Sequence, residues 1–389
     1  MSGFARGWSA WLGVVVALAC SPKPEATTGE PAPASAVVMA PAPAPAGVPE
    51  PESIAFADRT SLAYVLLVPG DEVTAPTREE LVALVRKQLG ADPDEPEVEV
   101  LVQFIGMDPA VASASDPRMR GRDGPHDLLG LHIEALDADG VRAAVTTAAL
   151  EDPVLVRELS GPERASLPTR HAAILLRGDY RNERAIRGLR LLQTLVRLLA
   201  ADRGALVHDP DTGETMGVEA FTRRRLQAGL GNIADQVAVV PFPDLRHGEP
   251  WIRLATRGMR RFGSPDLELD GLPLDEKVLQ QATFLLHGLA YQMVRLAELD
   301  PSGYPLELTD DVEVSHTDIT RAYSRQQGLV PRCDACVGHV SVGLRKREAE
   351  AHDPQAHLVV RVVAPRTESG GSDQQAWVAQ ALAKVLGPR

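Results

Sequence analysis

Apolar runs alternate with amphipathic stretches along most of the chain. Residues 62–68 are an apolar run closed by Pro69-Gly70, which predicts a buried strand. Thr77 stands where it can cap a helix running through Leu81, Leu84, Val85 and Leu89 to Gly90. Val98, Val100, Val102 and Phe104 alternate with Glu97, Glu99 and Gln103, the period of a strand with one wet face. A long polar stretch at 106–127 follows, with turn signals at Asp116-Pro117 and Gly124-Pro125. Beyond it the pattern predicts a strand at 128–136, a turn at 137–140, a helix at 141–150 and a helix start at Ser160-Gly161-Pro162-Glu163. Residues 172–176 read as a compact strand, 177–180 as a turn, 182–202 as a long helix and 205–208 as a second strand. That order suggests a parallel crossover.

The long helix has Ile186, Leu189, Leu192, Val196 and Leu199 on one stripe and Arg187, Arg190, Thr194 and Arg197 on another, so its buried side is predictable. Asp209-Pro210-Asp211-Thr212-Gly213 is a sharp turn, 218–226 a helix, and 237–240 and 251–256 strands. A helix at 274–298 is apolar over most of its circumference, which implies burial on more than one side. After a break at Pro301-Ser302-Gly303 come a short helix around Ile319, strands at 340–344 and 358–363, and a final helix at 374–386. The fold class expected is α/β or α+β: a mixed sheet with packed helices at 56–300 and a C-terminal strand-strand-helix extension at 301–389 that adds to a common sheet.

The first twenty residues have a different character. Arg6 gives a positive start, residues 11–19 are apolar, and small Ala19 precedes Cys20. The apolar run falls short of the roughly 20 residues that a membrane-crossing helix needs. This stretch resembles the signal of bacterial lipoproteins, although Ala17 stands where that family prefers Leu and Leu18 comes one place late. The resemblance implies removal of residues 1–19, lipid on Cys20, attachment to a membrane and, with Ser21 after the cysteine, an outer-membrane destination. Residues 20–55 are rich in Pro and Ala, as in Pro41-Ala42-Pro43-Ala44-Pro45, and read as a tether that extends at about 3.1 Å per residue.

Composition narrows the partners. A net charge of -13 and a pI near 5.3 argue against nucleic acid and against broad adhesion to anionic lipid. Residues 168–265 run against that trend, with 16 Arg, no Lys and 10 acidic residues. Arg offers a planar fork for carboxylate or phosphate, and Arg181 and Arg184 fall in the first turn of the predicted helix. Arg181, Arg184, Arg257, Arg260 and Arg261 are therefore candidates for an anion-binding face, with an anionic ligand or an envelope protein as partner. The competing expectation is that these arginines are solvated or pair with the chain's own carboxylates.

The string 256–267, TRGMRRFGSPDL, punctuates a strand-like run with two glycines and a proline, so a tight hairpin or bulge with Met259 and Phe262 pointing inward is expected. Together with the preceding helix and the turn at 209–213, it resembles a bacterial α/β domain family with no assigned activity, over roughly 170–300. The resemblance implies a fold and no functional residues.

Cys333 and Cys336 are expected as a structural disulfide, with thiol–disulfide exchange, or a metal site completed by His339 and His316, as alternatives. His208 beside Asp209, and His287 above Tyr291, are the histidines placed for acid–base work. No serine-nucleophile elbow, phosphate loop, dinucleotide fingerprint or His-Glu-x-x-His motif is present, and no cofactor or metal is expected. A binding or scaffold module is the leading expectation; an enzyme of unrecognised class is the alternative.

Overall fold

The computed structural model describes residues 53–57, 59–90, 96–106, 128–182, 185–226, 232–244, 246, 250–298, 307–309, 311–326, 328–333, 336, 338–350, 353, 358–366 and 373–387. The leader, Cys20, Arg184, most of the tether and the polar stretch at 107–127 lie outside them.

Strand β1 (Ser53–Ala55) leads into β2 (Arg59–Val68), whose Leu62, Tyr64 and Leu66 face one side while Val65 and Leu67 face the other. Helix α1 (Arg78–Leu89) begins at Thr77, whose hydroxyl accepts from the Glu80 amide while the Glu80 carboxylate accepts from the Thr77 amide. Two otherwise unpaired helix-end donors are satisfied reciprocally. Residues Pro96–Gly106 form helix α2 and not the expected strand. Val98, Leu101, Phe104 and Ile105 are buried, and that three-to-four spacing is the one the packing uses.

Next come β3 (Leu128–Leu136) and helix α3 (Ala138–Ala144), which Asp137 caps. Thr146 then ends the expected continuous helix by capping a separate α4 (Thr147–Glu151). α5 (Gly161–Ser166) carries a second reciprocal cap, from Ser160 and Glu163.

β4 (Ala172–Arg181) runs straight through the predicted turn at 177–180. Gly178 is there for close packing: a β-carbon on it would stand 2.9 Å from Leu192 Cδ1 and 3.2 Å from Phe104 Cζ. α6 (Ala185–Arg203) then leads to β5 (Leu206–His208) and β6 (Thr215–Met216). The sheet order is β3-β4-β2-β5-β6, antiparallel throughout. β4 and β5 do run in the same direction across α6, but β2 lies between them. This is a split β-α-β arrangement, and with β2-α1-β3 it gives a ferredoxin-like order.

Helix α7 (Val218–Phe221) passes into a π-turn at Thr222–Leu226, and α8 (Ile233–Gln236) follows. The second sheet is built from β7 (Ala238–Pro243), β8 (Trp251–Arg257) and β9 (Asp266–Pro273). After helix α9 (Glu276–Glu298) it is joined by β11 (Asp311–Ser315), β12 (His339–Lys346) and β13 (Val359–Val363). β10 (Glu307–Thr309) pairs with β1. The six-stranded order is β11-β12-β13-β9-β8-β7, with β13 parallel to β9, so the sheet is mixed and the C-terminal strands belong to it. Helices α10 (His316–Ala322) and α11 (Gln374–Leu386) complete the chain. Edge strand β7 carries Pro241 and Pro243, which lack ladder donors and blunt that edge.

One continuous apolar cluster runs through the helix-covered sides of both sheets, from Tyr64, Ile174 and Leu192 to Leu269, Leu286, Val342 and Trp377. A smaller cluster lines the far side of the first sheet, where Val65, Leu67, Ala173 and Leu206 meet Val141, Val145, Val156 and Leu159.

Candidate functional site

The two strings singled out above, 209–213 and 256–267, meet where the sheets join. β5 ends at His208, and the tight turn to β6 presents Asp209, Asp211 and Glu214. From the second sheet, Met259–Phe262 form a single 3-10 turn between Gly258 (φ 104°) and Gly263 (φ 73°). Both glycines take left-handed backbone. A β-carbon at Gly263 would also collide with Asn182 and stand 2.7 Å from the Ala57 carbonyl oxygen.

Arg261, wholly buried, donates through Nη2 to both Asp209 carboxylate oxygens, at 3.2 and 3.1 Å. Arg225 Nη2 donates to Asp209 at 3.1 Å and to Glu214 at 2.8 Å, while its Nε and Nη1 find no acceptor. Arg224 Nη1 donates to Glu214 at 2.7 Å, and its Nε to Asp235 at 3.3 Å. Arg260 forks onto Asp211 through Nε, at 2.9 Å, and Nη2. Neutral groups complete the junction. Tyr180 Oη donates to the Arg261 carbonyl and Thr60 Oγ1 to that of Arg260, both at 2.7 Å, and Gln193 Nε2 donates to Tyr64 Oη at 2.9 Å.

Electrostatics follow from this packing. Burial alone would push the Asp209 carboxyl up, but Arg261 and Arg225 beside it bring it down to about 2. Glu214, likewise buried, is drawn down to about 2 by Arg224 and Arg225. Burial works to lower Arg261, but Asp209, Tyr64 and Asp211 together outweigh it and raise it, so it stays charged. Burial pushes the Tyr64 phenol up to about 12. It also takes His208 down to about 4, with Asp209 opposing. His208 Nδ1 is hydrogen-bonded to Thr215 Oγ1 at 3.0 Å. His287, also held down to about 4 by burial, bonds the Val237 carbonyl at 3.0 Å and the hydroxyl of Tyr323, not Tyr291. Asp209 and Glu214 are thus held charged and His208 and His287 neutral at pH 7, and neither histidine is set to shuttle a proton there.

A second cluster lies on the other face of the six-stranded sheet. Glu268, in β9, accepts from Arg246 Nη2 at 2.6 Å, from Arg253, and from Arg347 Nη2 at 2.9 Å. Arg347 also forks onto Asp353, and Glu350 reaches Arg253 at 2.7 Å, so side chains from beyond β12 are tied across the sheet. Burial would raise the Glu268 carboxyl; the bond from Arg246 and the charges of Arg253 and Arg347 hold it below its ordinary value. The Phe242 ring carries two guanidiniums, with Cζ of Arg253 at 5.3 Å and of Arg257 at 5.2 Å from its centroid.

The arginines expected to form an open anion-binding face are thus mostly internal. Arg181, Arg257 and Arg261 are buried, and Arg260 is half exposed but faces Asp211. The pairing of Arg260 and Arg261 with the chain's own carboxylates corrects the picture of an open face. Cys333 and Cys336 are disulfide-bonded. His339 pairs with Glu313 at 3.2 Å and His316 bonds the Val385 carbonyl, so these histidines do not gather on the sulfurs as a metal site would need. No cluster of three or more metal-ligating groups occurs among the described residues. Two surface grooves, of about 310 and 270 Å³, lie along α1 and α6 and are lined by no member of either arginine cluster. What sequence reading missed was the partnership of the two strings; the carboxylates of the first, Asp209 and Asp211, and the arginines of the second, Arg257, Arg260 and Arg261, were the available signal. No protein-family model, no curated protein and no solved structure matches this chain.

Proposed function

We propose that the chain is a non-enzymatic binding or scaffold module, held at a cell envelope by lipid on Cys20 and set off from the membrane by its Pro/Ala-rich stretch. One observation carries the reading for the body: its most polar buried site joins two sheets through buried ion pairs, with the Asp209 and Glu214 carboxyls held charged across the physiological range. Such a site holds a shape, and its paired carboxylates and neutral buried histidines leave no base poised for a reacting group. The Cys333–Cys336 disulfide fits an oxidising compartment. The partner is then a protein of the envelope, met by the rigid surface.

The test uses the full chain expressed in a bacterium with an outer membrane, fed an alkyne-tagged fatty acid, beside Cys20→Ser. Label and outer-membrane fractionation in the wild type, both lost in the variant, are expected. An unlabelled, released wild type would overturn the anchoring. A rise in melting temperature of several degrees with phosphate or a uronate polymer would replace the scaffold reading with a small-anion site.

A further inference from the structure

The Cys333–Cys336 disulfide sits at the end of the C-terminal helix. A β-carbon at Gly387, just past α11, would stand 3.2 Å from Cys333 Sγ and 3.9 Å from Cys336 Sγ, and Gly387 takes φ of 87°. On the neighbouring side, a β-carbon at Gly338 would meet the Lys384 stem at 3.6 Å. His316 Nδ1, at the start of α10, donates to the Val385 carbonyl at 2.9 Å. The disulfide therefore lies against the residue that ends α11, and His316 holds the Val385 carbonyl of its last turn. Over the two preceding turns, Trp377, Val378, Ala381 and Leu382 are buried in the main core, so this helix also covers part of that core.

The same geometry bears on reactivity. An exchange centre needs a stabilised thiolate, commonly at a helix amino end or beside a buried cation. Here the sulfurs lie at a helix carboxyl end, where unpaired carbonyls carry partial negative charge and oppose a thiolate. Among the described residues, the charged side chains next to the pair along the chain or at the end of α11 are Arg332, which is exposed, Lys384, which is exposed, and His339, which is paired with Glu313; solvent screens all three.

We infer that the Cys333–Cys336 disulfide is a structural clip that holds the last turn of the C-terminal helix, and that it is not a thiol–disulfide exchange centre. The inference stands apart from the scaffold reading, since it concerns only what the sulfurs touch. Opening the clip takes two electrons and two protons, which dithiothreitol supplies as it closes to its own cyclic disulfide.

The experiment compares the oxidised full chain with the same chain reduced by dithiothreitol and capped with iodoacetamide, by hydrogen exchange read on peptides from 374–387 and 185–203. Exchange over the last turn of α11 is expected to quicken about tenfold or more on reduction while α6 is unchanged, and Cys333→Ser with Cys336→Ser reproduces this without a cap. Alkylation of the reduced protein is expected to speed up about tenfold per pH unit between pH 6 and 8, as for an ordinary thiol with a pKa of about 8.5. Unchanged protection of α11 would overturn the clip. An alkylation rate already level below about pH 7, with rapid turnover of glutathione disulfide, would instead make the pair an exchange centre.

Discussion

The two arginine–carboxylate clusters are alike in composition and differ in exposure. At the junction of the sheets, the side chains of Asp209, Arg225 and Arg261 are completely buried. On the outer face of the six-stranded sheet, Glu268 is just as buried and so are its partners Arg253 and Arg347, but its other partners Arg246 and Arg361 keep 29% and 31% of their side-chain surface in solvent, and Glu350 keeps 39%. A buried charge that loses its partner cannot recruit water, whereas a half-exposed guanidinium can. The junction should therefore be intolerant of charge loss and indifferent to salt, and the outer ring more tolerant and salt-sensitive. Asp209→Asn is expected to cost about 3–5 kcal/mol and Glu268→Gln about 1–3 kcal/mol. Urea unfolding of the full chain at low and high salt checks both: only the Glu268 effect should shrink as salt rises. Equal losses with equal salt dependence would end the distinction.

Acid offers a second way to separate the regions. Both buried histidines titrate at about 4, against an ordinary 6.5, because burial opposes their charge. As pH falls below about 6.5 the unfolded chain takes up protons that the folded chain refuses. Stability is thus full above that value and falls until about pH 4, by up to about 1.4 kcal/mol per pH unit for each ring. Asp209 and Glu214, both lowered to about 2, act in a later window: their contribution is complete above the ordinary carboxylate range and lost only as pH drops from about 4.5 toward 2. Urea midpoints across this range should show two descending steps, and His287→Gln should flatten the first. A single step below about pH 4.5 would mean that the rings are protonated in the folded protein.

The fold was legible in the sequence wherever one local signal decided the outcome. Thr77 with Glu80, Ser160 with Glu163, the stripe of α6 and the final helix all rest on contacts within a few residues. Legibility failed where a distant surface chose between two patterns. Val98, Val100, Val102 and Phe104 satisfy a strand, while Val98, Leu101, Phe104 and Ile105 satisfy a helix, and packing beside α6 selects the second. Gly178 suggests a turn because glycine usually marks one; its actual constraint is the close approach of Leu192 and Phe104. The candidate site was half legible. Both strings stood out, yet Asp209 and Arg261 are 52 positions apart on different sheets, and no periodicity reports such a pair.

Gly263 tests whether the junction depends on backbone as much as on charge. Gly263→Ala must keep a left-handed φ of 73° while its new carbon meets Asn182, which follows β4, and the Ala57 carbonyl of the link between β1 and β2, which are bonded to each other beside the 3-10 turn. A loss of about 2–3 kcal/mol is expected. Gly204→Ala, at a φ of 58° with open space around it, should lose only about 1 kcal/mol. Similar losses in the two would show that the turn's close approach adds nothing to its backbone geometry.

The smallest expected effect is the most discriminating, because it holds residue type and sequence neighbourhood constant. Arg223, Arg224 and Arg225 are consecutive in one π-turn and each faces a carboxylate. Arg223 meets Glu158 at 2.7 Å, a distance as short as that of Arg224 to Glu214, but 61% of its side chain is in solvent against 9% for Arg224 and none for Arg225. Distance alone predicts equal contributions; burial predicts a steep gradient. Arg223→Ala should cost about 0.5 kcal/mol or less, since water replaces the lost partner on Glu158. Arg225→Ala strands Asp209 and Glu214 with fewer donors and should cost several times more, about 3 kcal/mol. Urea unfolding of the two variants side by side measures the gradient. A loss above about 1.5 kcal/mol for Arg223→Ala would show that the exposed pair orders the π-turn itself, and exposure would then no longer rank the arginines of this protein.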